Sequence, residues 1–169
     1  MRTDWITRAE TGADIPAVRE IDLAAFDTPL EADLVEALRA DTAWIEGLSL
    51  VVTDPAGKVV GHAVLTRCHI DDTPALCLGP VAVLPEYQNT GAGSAVVRAS
   101  IEAATKAGER FVTVLGHPPY YPRFGFTRAS AYGIRITLDV PDEAMMALAL
   151  DAEHPLPSGT IRYAAPFGI

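Results

Sequence analysis

The sequence predicts an α/β fold, and three observations lead there. Runs rich in Val, Leu and Thr recur between turn residues, segments with apolar residues at helical spacing lie among them, and no internal repeat, low-complexity tract or long linker divides the 169 residues. With 49% apolar and 21% charged residues, the chain has the composition of an ordinary globular protein and the length of one domain. Residues 1–169 are therefore expected to form a single domain around one core.

Taken in order, Trp5–Glu10 reads as the first strand. Asp14 is placed to cap a helix with Pro16 in its first turn, and Ile15, Val18, Ile21, Leu23 and Phe26 give that helix an apolar face. Pro29 opens a second helix, on which Leu30, Leu34, Val35 and Leu38 recur at helical spacing. Leu48–Thr53 and Val59–Thr66 are β-rich runs joined by Asp54-Pro55-Ala56-Gly57, which predicts an antiparallel hairpin. Leu76–Leu84 is a further strand, interrupted by Gly79-Pro80. Proline has no ladder donor, so an edge or a bulge is expected there. A glycine-rich turn leads into a helix over Ser94–Ala107, with Val97, Ile101 and Ala104 on one face and Gly108 as its stop. Phe111–Leu115 reads as a buried strand. An aromatic, proline-rich turn follows, then a strand near Ile134–Val140, a short helix over Asp142–Leu150 and a closing strand near Thr160–Tyr163.

Charge and composition exclude several classes of function. A net charge of −9 disfavours nucleic acid and acidic membrane surfaces, which are bound through basic patches, and suits a cationic substrate better. Met1–Glu10 mixes Arg2, Asp4, Arg8 and Glu10 with isolated apolar residues, unlike a signal peptide, and no apolar run reaches the roughly 18 residues of a membrane span. A cytoplasmic location is the expectation. Cys68 and Cys77 match no zinc spacing and are too few for a disulfide scaffold, so buried free thiols and no metal are expected.

The informative unit runs from Leu78 to Arg98: a strand, the turn Glu86 to Ser94, then a helix whose start is Gly91, Ala92, Gly93 and Ser94. Glycines let backbone approach a ligand closely, and the first helical N–H groups have no partner within the helix. The helix dipole adds about half a positive charge at the same end, so such a turn suits an anion. A dinucleotide fingerprint would need glycine at Val96, and a P-loop would need Gly-Lys-Ser/Thr, so the turn points to a pyrophosphate held in another way.

Gln88-Asn89-Thr90-Gly91-Ala92-Gly93, after a strand ending Val83-Leu84-Pro85, resembles the acetyl-CoA motif Gln/Arg-x-x-Gly-x-Gly/Ala of the GNAT superfamily of N-acetyltransferases. The family often has glycine where Asn89 stands. Gly116 to Phe126, containing Tyr120-Tyr121-Pro122-Arg123-Phe124-Gly125-Phe126, resembles the later segment Phe-Tyr-x-x-x-Gly-Phe in the form used by one bacterial subgroup. The resemblance implies a mixed central sheet with helices on both faces, in which two parallel strands, Leu76–Leu84 and Phe111–Leu115, splay to admit acetyl-CoA. It implies that Val81, Ala82 and Val83 pair with the pantetheine arm, that Asn89, Thr90, Gly91, Ala92, Gly93 and Ser94 wrap the pyrophosphate, and that Gln88 belongs to the same site. Arg98, one helical turn past Ser94, either reaches a phosphate or is solvated.

Acetyl transfer by direct attack needs a neutral amine, a donor for the developing oxyanion and a proton for the leaving thiolate. The resemblance implies the Val83 amide as the donor and Tyr121 as the acid, with Tyr120 in that role if the register shifts by one. Tyr121 has an alternative reading as aromatic packing. Glu31, Asp27, His62, His69 and His117 are all candidate bases, and loss of the proton through a water chain is another route. The expected acceptor is a small-molecule or peptide amine, and an exposed sheet edge serves a homodimer and a monomer alike. Two rival functions stand beside this one: a coenzyme A-binding regulatory domain without turnover, and a different α/β module whose glycine turn holds another phosphate.

Overall fold

A computed structural model describes residues 4–169; Met1–Thr3, part of the stretch read against a signal peptide, lie outside the described residues. The elements are β1 (Ile6–Ala9), α1 (Ile15–Ala25), α2 (Leu30–Arg39), β2 (Trp44–Thr53), β3 (Val59–Ile70), β4 (Thr73–Val83), α3 (Ala92–Lys106), β5 (Phe111–Leu115), β6 (Thr127–Arg128), β7 (Ile134–Arg135), β8 (Met145–Ala149) and β9 (Gly159–Arg162). The sheet runs β1-β2-β3-β4-β5-β8-β6, and β9 adds to β3 and carries β7. Among the described residues only β4–β5 and β7–β9 are parallel. The predicted mixed sheet is thus present, and the expected hairpin is β2 with β3.

Helices cover both faces. Val96, Val97 and Ala104 of α3 pack on Leu50, Val52, Ala63 and Leu65, whereas Val18 of α1 and Val35 of α2 pack on Val51 and Val64 from the other side. The Gly79-Pro80 interruption is a bulge and not an edge, because β4 lies between β3 and β5. Leu65 faces Leu78 and Ala63 faces Val81, so three steps on β4 oppose two on β3. The extra residue inverts the alternation: Leu76 and Leu78 face α3 before it, and Val81 and Val83 pack there after it.

Three local expectations are corrected. Asp142–Leu150 is not helical; a 3₁₀ turn at Asp142–Ala144 leads into β8, whose Met145–Ala149 pairs antiparallel with β5. Tertiary pairing overrides the helical preference of Met and Ala. The strand expected near Ile134–Val140 is limited to Ile134–Arg135. Asp14 stands at the N-cap position of α1, but its side chain makes no cap bond to the helix. Its carboxylate instead accepts from the Thr11 amide at 2.8 Å and from the Arg8 guanidinium at 2.6 and 2.9 Å, and the Arg8 contact holds its pKa down at about 2.

Cys68 and Cys77 are free and buried, and burial pushes both thiols up, Cys68 to about 12. None of the helices among the described residues is long and apolar enough to cross a membrane.

Helical periodicity placed Leu23 inward, but Leu23 is 45% exposed and the neighbouring Asp22 is fully buried. Asp22 Oδ1 lies 2.7 Å from Nε2 of His62, an equally buried residue on β3. This bond pins the last turn of α1 to the sheet. Removing one partner leaves the other buried without its hydrogen bond, so Asp22→Ala is expected to destabilise the fold by about 2–4 kcal/mol. Asp22→Asn should recover much of that loss. Urea unfolding measures both, and an alanine variant within about 0.5 kcal/mol of the parent would refute the pinning role.

Candidate active site

β4 and β5 pair at Leu76/Val112, Cys77/Thr113 and Leu78/Val114, and their ladder stops there. β4 runs on against β3 alone, with Ala63/Val81, His62/Ala82 and Gly61/Val83 opposed. The Leu84 amide donates to the Val60 carbonyl at 2.8 Å. Strand alternation therefore turns the Val81 and Val83 amides the other way, toward the side that β5 has left. The opening is a cleft of about 1130 Å³.

The turn after β4 forms one wall. Asn89 has φ +61°, in the left-handed region that asparagine tolerates better than most residues, which explains how it can stand where glycine is common. Gly91 follows at φ +94° and precedes α3. Ala95 donates the first helical bond, to the Gly91 carbonyl at 3.0 Å, which leaves the amides of Ala92, Gly93 and Ser94 ahead of the ladder. A Cβ on Gly93 would lie 3.4 Å from the Tyr120 hydroxyl and 3.5 Å from Val83. Those are near-ordinary contacts, so packing within the protein does not by itself demand a glycine there.

Among the residues read as coenzyme-binding, Val81, Ala82, Val83, Gln88, Asn89, Gly91, Gly93 and Ser94 line the cleft. Thr90 and the fully buried Ala92 side chain do not. Thr90 instead braces the turn: its hydroxyl donates to the Tyr87 carbonyl, and its own carbonyl accepts from Trp5 Nε1 at 3.2 Å. Gln88 Nε2 donates to the Val83 carbonyl at 3.0 Å and so clips the turn back onto the strand it leaves. His117 and Arg123, from the Gly116–Phe126 segment, also line the cleft, as do Trp5, Ala25 and Phe26, whose lining role gave no motif-level signal.

Tyr120 and Tyr121 both reach the cleft but in different settings. The Tyr120 hydroxyl lies 3.0 Å from Ser94 Oγ, joining the aromatic segment to the start of α3. Tyr121 is 9% exposed, edge-on to Tyr120 and Phe126 with ring centroids 5.1 and 5.9 Å away. Burial pushes its phenol up to about 12, and the neighbouring Tyr120 adds to the rise. Tyr121 is thus packed among aromatic rings, as one of its two readings expects, and it also borders the cleft.

The candidate bases separate clearly. His117 lines the cleft; His62 is buried against Asp22; Glu31 Oε1 accepts from the Thr28 hydroxyl at 3.3 Å near the start of α2. Asp27 is exposed beside Phe26. His69 pairs with Pro74 and Arg162 seven residues beyond His62, roughly 20 Å along β3 from the cleft. Among the described residues no group of three or more His, Cys, Asp or Glu side chains could hold a metal.

Residues 46–128 match the acetyltransferase (GNAT) domain family. The chain is 38% identical over 162 residues to the uncharacterized N-acetyltransferase YjhQ of Escherichia coli K12, covering 91% of this chain and 89% of that protein. It is 30% identical over 132 residues to the uncharacterized N-acetyltransferase YhbS of the same strain, covering 77% and 78%. The crystal structure of E. coli YhbS in complex with CoA superposes with a TM-score of 0.91 at 24% identity, over 100% of this chain and 94% of that one. A Brucella melitensis GNAT family acetyltransferase in complex with acetyl-CoA has a TM-score of 0.80 at 30% identity, over 96% and 97%.

Gly116 sets the position of Tyr121. A Cβ at residue 116 would stand 2.3 Å from Tyr121 Cε2, an overlap that the ring must move to relieve. Gly116→Ala should therefore cost about 1–3 kcal/mol and shift the Tyr121 ring, as read by thermal unfolding and a crystal structure of the variant. A variant as stable as the parent with the ring in place would show that Gly116 plays no such part.

Proposed function

The chain belongs to the GNAT family of N-acetyltransferases, and from that membership we propose that it moves an acetyl group from acetyl-CoA to a primary amine by direct attack in the β4–β5 cleft. One observation carries the placement: the unpaired edge of β4 and the free amides at the start of α3 border the same opening. The donors present suit an extended anionic thioester, with strand amides at Val81 and Val83 for its amide-bearing arm and the amides of Ala92, Gly93 and Ser94 for its pyrophosphate. Acetyl-CoA supplies the activated acyl group.

In this reading the Val83 amide donates to the oxygen that gains charge during attack. Its neighbours hold it in place: β3 fixes the strand from one side and Gln88 grips the Val83 carbonyl. Tyr121 presents a neutral phenol to the leaving sulfur. A phenol near 12 is a weak acid in water, but the burial that raises it raises a thiolate beside it as well, as Cys68 illustrates elsewhere in this sheet. The attacking amine enters past Ala25 and Phe26, with His117 the cleft-lining side chain able to accept its proton. A protein amino terminus, a lysine side chain, an amino acid and a polyamine all fit as acceptors, and the charge of −9 favours cationic ones over nucleic acid or membrane. Reduced, buried thiols suit the cytoplasm. Pairing of β9 with β3 supports one folding unit across the chain, and β1 and β6 as edge strands are compatible with a homodimer.

Gly91→Glu places bulk and negative charge in the phosphate turn, at a residue with φ +94°. Coenzyme A affinity should fall at least tenfold, about 1.4 kcal/mol, and calorimetry that finds it unchanged in a folded variant would exclude this site.

Tyr121→Phe keeps the ring and removes the proton. Followed as thiol release from acetyl-CoA across a panel of amines and peptides, kcat should drop by about two orders of magnitude while acetyl-CoA affinity holds. Because the phenol stays protonated well above neutrality, the loss should be equal at pH 7 and pH 9. Turnover within a few-fold of the parent would assign Tyr121 to packing. Binding of acetyl-CoA by the parent with no release on any acceptor would favour the regulatory alternative.

A further inference from the structure

Arg98 on α3 and Arg123 in the 3₁₀ turn Tyr121–Phe124 both line the cleft. Each guanidinium lies against a ring of the same aromatic segment. Arg98 Cζ is 5.1 Å from the Phe124 ring centre, and Arg123 Cζ is 4.3 Å from that of Tyr120. Arg123 Nε also donates to the Tyr120 carbonyl at 2.8 Å. Arg8, Arg19, Arg39, Arg67 and Arg128 each meet an Asp or Glu; among the described residues Arg98 and Arg123, like Arg110, Arg135 and Arg162, form no ion pair, and of these five only Arg98 and Arg123 line the cleft. Two unneutralised cations beside one cleft, in a chain of net charge −9, mark a place prepared for an anion. A guanidinium that meets a ring through its face keeps N–H edges for the bidentate contacts it makes with phosphate.

We propose that Arg98 and Arg123 clamp the 3′-phosphate of the coenzyme A ribose, so that the protein selects coenzyme A over its 3′-dephospho form. The proposal rests on the acetyl-CoA reading of the cleft and adds a second anion site to it. The pyrophosphate already has the amides of Ala92 to Ser94. Arg98 is rooted four residues past Ser94, about 6 Å farther along the helix axis, and lines the same cleft as Arg123. The remaining anion of the coenzyme is the 3′-phosphate, a dianion that two arginines can balance.

Calorimetric titration of the parent, Arg98→Ala, Arg123→Ala and the double variant with coenzyme A and with 3′-dephospho-coenzyme A tests the clamp. The parent should bind the dephospho form at least tenfold more weakly. Each single variant should lose about tenfold for coenzyme A and stay within twofold of the parent for the dephospho form, and the double variant should no longer discriminate. Circular dichroism checks that each variant is folded. A parent that binds both forms equally overturns the proposal, as do variants that weaken both forms alike, which would assign the arginines to the pyrophosphate. A parent that binds neither form removes the acetyl-CoA reading itself, a result distinct from failure of the clamp alone.

Discussion

The cleft depends on where one parallel ladder ends. β4 and β5 exchange hydrogen bonds as far as Leu78 and Val114, and past that point β4 keeps a single partner. A sheet interior that loses a neighbour leaves backbone donors and acceptors to be satisfied by other means. The Val83 carbonyl is taken by Gln88, while the Val81 and Val83 amides face the opening. The bulge at Gly79-Pro80 is what makes this workable. By adding one residue it lets β4 stay in register with β3 while Val81 and Val83 rejoin the α3 side of the core, so the strand remains rigid where its outer edge is bare.

The two tyrosines divide what that edge requires. Tyr120 spans the cleft to Ser94, coupling the 3₁₀ turn after β5 to the start of α3, so the two walls are not independent. Tyr121 is wedged between Gly116 and the rings of Tyr120, Phe124 and Phe126. A phenol locked in this way and kept neutral by burial loses little orientational freedom when it donates a hydrogen bond, which is the condition for a weak acid to be useful.

Much of this was legible in the sequence because its signals are local. Glycines and a polar turn at a strand-to-helix junction, a proline inside a β-rich run and the spacing of Val97, Ile101 and Ala104 each follow from backbone chemistry within a few residues. What stayed hidden depends on partners distant in the chain. Met145–Ala149 has helical preference and becomes a strand only because β5 offers it a ladder. The Asp22–His62 bond joins residues 40 apart, and periodicity placed the adjacent Leu23 inward in place of Asp22. Gln88 was legible as a motif position but not as the clip on Val83, and the sequence left Arg98 between reaching a phosphate and standing in solvent, with no sign of the Phe124 ring beside it.

Net charge sets what the proposed clamp has to work against. A surface with nine surplus negative charges opposes the approach of a polyanion. At physiological ionic strength that field is screened over about 8 Å, so what an anion meets at the cleft is set by the groups within it. There the positive groups are the helix amides, Arg98 and Arg123, while Asp27 and Glu31 lie beyond Phe26 near the junction of α1 and α2. Under the proposed function, opposite charge on the two approaches would let one acidic chain receive an anionic donor and a cationic acceptor without either being drawn to the other's place.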